Sequence, residues 1–329
     1  VRGRLVPSPE RPERAEILEA AARACGLEPV DARPFPRDAL LAVHTADYLD
    51  FLETAHARWS VLEDAGPEVV PNVHPVRHAG ARPDHPVGLA GWFMADTACP
   101  IGPGTFEAAV GAAHTALTAA ELLLSGAREA YALCRPPGHH AFADLAGGFC
   151  FLNNSAIAAV HLAARLGRVA VLDIDVHHGN GTQGIFWHRG DVLTLSLHAD
   201  PAGYYPFFWG YGDETGEGDG RGANRNWPLP VGTGDVPWLA ALDEALAVLR
   251  TFAPAAVVVA LGLDVHENDP LRGMKVTHAG LREAGRRIGG LPQPVLLVQE
   301  GGYPQPALGR SLEAFLAGFT GSRAAAAQP

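Results

Sequence analysis

The chain has 329 residues, 47% of them apolar, enough for a sizeable core, and no apolar run long enough to cross a bilayer. Its formal net charge is −11 and Lys275 is its only lysine, a balance that disfavours nucleic acid and anionic membranes and favours cationic small molecules. Cys25, Cys99, Cys134 and Cys150 are scattered without paired spacing and no apolar leader opens the sequence, so reduced thiols in a cytoplasmic protein are expected rather than a disulfide framework or zinc knuckle.

In chain order, helical spacing covers 11–25 and 38–59. Residues 64–104 are proline-rich and of low periodicity, the signature of a long functional or interfacial loop, with His74, His78 and His85 along it. An Ala/Leu-rich helix is expected at 105–125. A short strand at 129–134 runs into Arg-Pro-Pro-Gly-His-His at 135–140, and a helix follows at 153–166. Residues 169–172 read as a fully buried parallel strand, followed by a loop at 178–184 and a strand at 192–197 that reaches His198. A glycine- and aromatic-rich loop spans 200–235. Then come a helix at 238–252, a strand at 255–263, a helix at 277–289, a strand at 294–298, a helix at 305–319 and an Ala-rich frayed tail at 323–329. The alternation predicts an α/β fold with a mainly parallel sheet covered on both faces. No internal repeat or linker separates two cores, so 1–329 reads as a single domain.

Polar residues fall where these strands end: His139 and His140, then Asp173, Asp175 and His177, then His198, Asp264, and finally Glu300 with Tyr303. Ligands of open α/β sheets bind at the carboxyl ends of the strands. Buried carboxylates and imidazoles are costly unless paired or bound to a metal. Asp175, His177 and Asp264 offer the oxygen and nitrogen donors of a catalytic zinc with one position left for water. His139 and His140 follow a stiff Pro-Pro-Gly turn, with Asp173 and Asn180 available to set their tautomers. A carboxylate partner raises a histidine's pKa more than an amide does, so the pair can divide into a cation and a neutral base. Tyr303, after Gly301-Gly302, can donate to an oxyanion. Metal, base and oxyanion donor together point to hydrolysis of an amide or related carbonyl bond.

The segments Arg-Pro-Pro-Gly-His-His (135–140), Gly-Gly-Phe-Cys-Phe-Leu-Asn-Asn (147–154), Asp-Ile-Asp-Val-His-His-Gly-Asn-Gly-Thr-Gln (173–183), Leu-Asp-Val-His-Glu-Asn-Asp-Pro-Leu (263–271) and Glu-Gly-Gly-Tyr (300–303) resemble the histone deacetylase family. Residues 100–109 and 205–216 bring the resemblance nearest to its bacterial acetylpolyamine amidohydrolase branch. The resemblance implies an arginase-like α/β/α sandwich with about eight parallel strands and zinc-dependent removal of acetyl or acyl groups from amines. By motif position, Asp175, His177 and Asp264 hold zinc. His140 is the general base and acid with Asn180 as partner, His139 paired to Asp173 is the electrostatic partner, and Tyr303 polarises the carbonyl. Gly148, Phe149 and Tyr205 line a narrow channel. Asp96 lies near the position where the branch carries an acid for a distal ammonium, with Ala98 the other alignment, and Leu271 stands at the gatekeeper position. Structural potassium or sodium ions are implied at Asp173, Asp175, His177, Ser196 and Leu197, and at Phe186, Arg189 and Val192. The branch further implies a homodimer through 64–104, and a strand upstream of the segment that starts at residue 10, without which interior backbone groups lose partners.

N-acetylated polyamines or similar small cationic amines are the expected substrates, with acetyl-lysine in peptides as the alternative; no nucleic acid or membrane partner is expected. An arginase-type dinuclear site would need a carboxylate two residues after Asp264, where His266 stands. A non-catalytic acyl-amine binder would be expected to lack a ligand or the tyrosine, and none is missing. Cys150, His198 and His266 lie near the rim and read as packing or structural hydrogen bonds.

Overall fold

The computed structural model describes residues 6–75 and 80–326. Its sheet contains β1 (Glu129–Ala132), β2 (Val169–Asp173), β3 (Val192–Ala199), β4 (Asn224–Leu229), β5 (Ala256–Leu261) and β6 (Val295–Gln299). All pairings are parallel, in the order β1-β6-β5-β2-β3-β4. Every residue of β2, β3, β5 and β6 is buried, which is why these strands read as continuous apolar runs. Their side chains alternate between two cores. Val169, Val171, Val258, Leu296 and Val298 join the cluster under α3 (Ala46–Trp59), α4 (Pro86–Phe93), α5 (Thr105–Leu124) and α6 (Asn154–Leu166). Ala170, Leu172, Val257, Val259, Val295 and Leu297 join the one under α1 (Glu13–Ala24), α8 (Asp235–Phe252), α9 (His278–Gly289) and α10 (Leu308–Ala326). No helix among the described residues is long and apolar enough to cross a membrane.

The topology locates a crevice. The chain leaves β2 toward β3 on one side and leaves β5 toward β6 on the other, and β2 and β5 are neighbours. This is a topological switch point, where loops leaving the two carboxyl ends diverge and leave room for a ligand.

Several elements differ from expectation. The sheet has six strands among the described residues where the resemblance implies about eight; residues 25–32 run past the outer edge of β1 across a groove of about 530 Å3 without pairing with it. The helical segment 38–59 is two helices, α2 (Asp38–Leu41) and α3, because Thr45 caps α3 through the Tyr48 amide. The proline-rich segment holds α4: Pro86 occupies its first turn, where no amide hydrogen is needed, and His85 caps it. His74 is exposed, and His78 lies outside the described residues. Most of 178–184 belongs to α7 (Asn180–Phe186), and the loop 200–235 contains a 3-10 turn (Gly218–Gly220) and β4. Because β4 is an edge strand, it tolerates Pro228 and its polar composition. The helix α10 continues through Ala326, into the expected tail.

Candidate active site

β2 ends at Asp173, and the bend after it carries Asp175 and His177 over the switch point; Asp264 arrives from the loop after β5. One donor atom from each of Asp175, His177 and Asp264 lies within 4.8 Å of the others, and all three residues are buried. His177 Nδ1 sits 3.1 Å from Asp175 Oδ1 and 3.3 Å from Asp264 Oδ2. Donors bonded tetrahedrally to one zinc at about 2.0–2.2 Å stand roughly 3.3–3.5 Å apart, so the spacing fits. The remaining oxygens are held by backbone: Gly301 N–H donates to Asp175 Oδ2 at 2.7 Å, and Val176 N–H to Asp264 Oδ1 at 3.1 Å. Among the described residues, Asp264 Oδ2 is buried with no hydrogen-bond partner beyond the 3.3 Å approach of His177 Nδ1. An orphaned carboxylate oxygen beside a second carboxylate is what a divalent cation would satisfy. Burial and the Asp175 charge push the Asp264 carboxyl up; burial opposes, but Asp175 and Asp264 carry His177 up to about 9. A Cβ at Gly301 would overlap Asp264 Oδ2, so glycine there lets the backbone close around the donors.

The two histidines diverge as their partners dictate. His139 Nδ1 lies 2.9 Å from Asp173 Oδ2, whereas His140 Nδ1 lies 2.7 Å from Asn180 Oδ1. Burial opposes a charge on His139, yet Asp173, Asp175 and Glu300 raise it to about 10. Burial, His139 and His177 hold His140 well below the ordinary histidine range. With Asn180 accepting from Nδ1–H, His140 keeps a free lone pair at Nε2. The turn bearing them is fixed by Glu300, whose Oε2 accepts from Gly138 N and His139 N at 2.7 and 3.0 Å and whose Oε1 accepts from Ser155 Oγ at 2.7 Å.

Tyr303 is buried; its amide donates to Asp269 Oδ2 at 3.1 Å and its ring meets Phe149 edge-on at 5.7 Å. Arg14, fully buried on α1, donates from Nε to the Gly302 carbonyl at 2.7 Å and lies over the Tyr303 ring. Gly148 adopts φ +52° against the His140 ring, where a Cβ would overlap it. Tyr205 stands edge-on to His140 with centroids 5.0 Å apart, and its hydroxyl donates to Asp96 at 2.7 Å. Leu271 is half-buried, and its carbonyl accepts from the Tyr204 hydroxyl.

Glu300, Arg14, Asp269 and Tyr204 hold the site in ways the sequence reading did not assign. Tyr204 stacks on His177 with ring centroids 5.1 Å apart, beside the Asp-His-Asp donor cluster. Only the dipeptide Tyr204-Tyr205 hinted at it. Among the expected cation residues, Asp173 and Ser196 line one small cleft with Thr194, Gln183 and Asn224, while Ser196 Oγ also contacts His198 Nδ1 at 2.8 Å. Asp175, His177 and Leu197 flank it in sequence. Phe186, Arg189 and Val192 come together where α7 leads into β3, with the Phe186 carbonyl accepting from Arg189 N. His198 bonds the Gly210 carbonyl, His266 accepts from the Asn268 amide, and Cys150 donates to the Gly148 carbonyl.

The histone deacetylase domain profile matches residues 8–319. The chain is 46% identical over 319 residues to an acetylpolyamine amidohydrolase of Burkholderia pseudomallei, covering 97% of this chain and 93% of that one. It is 44% identical over 327 residues to acetylpolyamine amidohydrolase 1 of Pseudomonas aeruginosa, covering 98% and 94%. The solved acetylpolyamine aminohydrolase of B. pseudomallei superposes with a TM-score of 0.95 at 46% identity, covering 98% of this chain and 94% of that one. The HDA15 HD domain superposes at 0.78 with 29% identity, covering 96% and 82%.

Proposed function

We propose, from the premise that the chain belongs to the histone deacetylase family, that this enzyme is a zinc-dependent amidohydrolase releasing acetate from acetylated polyamines or similar small cationic amines. Its relatives named acetylpolyamine amidohydrolase support the substrate class. The observation that carries the chemistry is the histidine pair, one imidazole on a carboxylate and its neighbour on an amide, beside a converged Asp-His-Asp donor set.

Zinc held by Asp175, His177 and Asp264 would supply Lewis acidity toward the amide carbonyl and acidify a coordinated water. His140, neutral and with its Nε2 lone pair free, takes the proton released on attack and returns it to the departing amine. Asn180 holds the tautomer that makes this possible. His139, kept cationic by Asp173, stabilises developing negative charge, and the Tyr303 hydroxyl donates to the oxyanion. Burial keeps the Tyr303 phenol well above its ordinary pKa, so it is protonated across the working range. Gly148, Phe149 and Tyr205 wall the approach. Potassium or sodium near Asp173 and Ser196, and near Phe186, Arg189 and Val192, is part of the same proposal. So is a homodimer through 64–104, for which the exposed Val70 and Val73 speak.

The test compares acetylputrescine-type amines with acetyl-lysine peptides, with and without a chelator. Cleavage of the small amines that a chelator abolishes and zinc restores is expected. Acetyl-lysine peptides are the second reading, favoured by the apolar Leu271, and preferential peptide cleavage would establish it. Zinc-loaded protein that cleaves no acetylated amine overturns both.

A further inference from the structure

We propose that Asp96 is a positioning residue that clamps Tyr205 and the Gly148 turn around His140, rather than an acceptor for a substrate's distal ammonium. The inference rests on the amide-hydrolase reading above and concerns how its channel is built. Asp96 is half-buried, and its carboxylate gathers donors from separate segments. Oδ2 accepts from Tyr205 Oη at 2.7 Å and from Gly148 N at 3.2 Å, while Oδ1 accepts from Ala98 N at 2.7 Å. Cys99 Sγ adds a contact at 3.9 Å to Oδ1. Both oxygens are thus engaged inside the protein.

The segment presenting this carboxylate is itself stitched to the channel wall. Ala95 N donates to the Ala146 carbonyl at 2.7 Å, and Ala146 N donates to the Phe93 carbonyl at 2.8 Å. What the clamp holds is the surface around the general base. The Tyr205 ring stands perpendicular to His140 at 5.0 Å and nearly so to His177 at 6.0 Å. Gly148 lies against the same imidazole: a Cβ there would overlap His140 Cδ2 and come within 3.0 Å of Tyr205 Oη. Burial first, then Asp96, raises the Tyr205 phenol well above its ordinary pKa, so it remains a donor. Releasing the clamp frees Tyr205 to swing away from the His140 ring and opens that side of the imidazole to water.

The two roles separate experimentally. Asp96→Asn converts one acceptor into a donor facing an N–H or O–H, and Tyr205→Phe removes the other side of the bond. Zinc-loaded wild type, both single variants and the double variant are assayed on an acetylated diamine and on a neutral N-alkylacetamide of equal length. The clamp predicts that each single change lowers kcat about tenfold on both substrates, with KM within about threefold, and that the double variant is no worse than the worse single one. Gly148 amide exchange, followed by hydrogen–deuterium exchange, should quicken about tenfold in Asp96→Asn at unchanged melting temperature. A KM rise confined to the charged substrate, with Tyr205→Phe silent, overturns the clamp in favour of ammonium binding; full activity of Asp96→Asn on both substrates also overturns it. Unaltered Gly148 exchange overturns it independently of turnover. A wild type that cleaves neither amide refutes the functional reading alone, and the exchange result still decides the clamp.

Discussion

Acidification should weaken the support behind the catalytic turn through His44. This buried imidazole accepts the Asn153 amide hydrogen at Nε2, at 3.0 Å, and presents Nδ1 to the Ala143 carbonyl at 3.3 Å. The neutral Nδ1–H tautomer satisfies both contacts, whereas a protonated ring would set N–H against N–H. Burial, only partly opposed by the Ala143 and Phe142 carbonyls, lowers its pKa from 6.5 to about 4. Across that interval the unfolded chain binds a proton that the folded protein refuses, so the stabilisation is complete above about 6.5 and is lost as pH falls toward about 4. The full difference is about 3 kcal/mol, of which about 2 kcal/mol is gone by about pH 5. Asn153 also caps α6 and donates to the Ala141 carbonyl, so the loosening reaches the residue next to His140. Urea unfolding of wild type and His44→Gln at about pH 7.5 and 5 isolates this group, because glutamine offers the acceptor but does not titrate. Wild type should lose about 2 kcal/mol more than the variant between the two pH values. Parallel losses would refute the assignment.

Tyr303→Phe should reduce kcat by about 10²–10³ with KM nearly unchanged, since the hydroxyl acts on the developing oxyanion; steady-state kinetics in which only KM moves would contradict that role. Gly301→Ala should strip zinc from a still-folded protein, because its methyl collides with Asp264 Oδ2, while Gly111→Ala, whose methyl meets open space, should keep a full complement. Elemental analysis alongside circular dichroism checks both. His140→Gln should lower turnover by about 10²–10⁴ without loss of bound zinc, and a variant that loses its metal instead would place His140 in the ligand set.

How much of this was legible follows from which interactions are local. The run Val169 to Asp173 announces itself as a buried strand ending in a carboxylate, and Asp175 and His177 follow within one short bend. Their electrostatic surroundings could be anticipated because carboxylate and amide partners act differently on an imidazole. Helix α4 and strand β4 were hidden by prolines whose positions, a first helical turn and a sheet edge, are those where proline does no harm. What no spacing could reveal is sheet order. Asp264 joins Asp175 and His177 only because β5 lies beside β2, a pairing that brings Val176 N to Asp264 Oδ1 across 88 residues. Glu300 reaches Gly138 across 162 residues because β6 neighbours both β5 and β1. Asp96 and Tyr205, 109 residues apart, make the same point beside His140. An acid there reads from sequence as a group for a substrate cation, and only its three-dimensional neighbours show both oxygens already engaged. The donor chemistry is therefore written locally, and the order of parallel strands determines which of those local signals share a site.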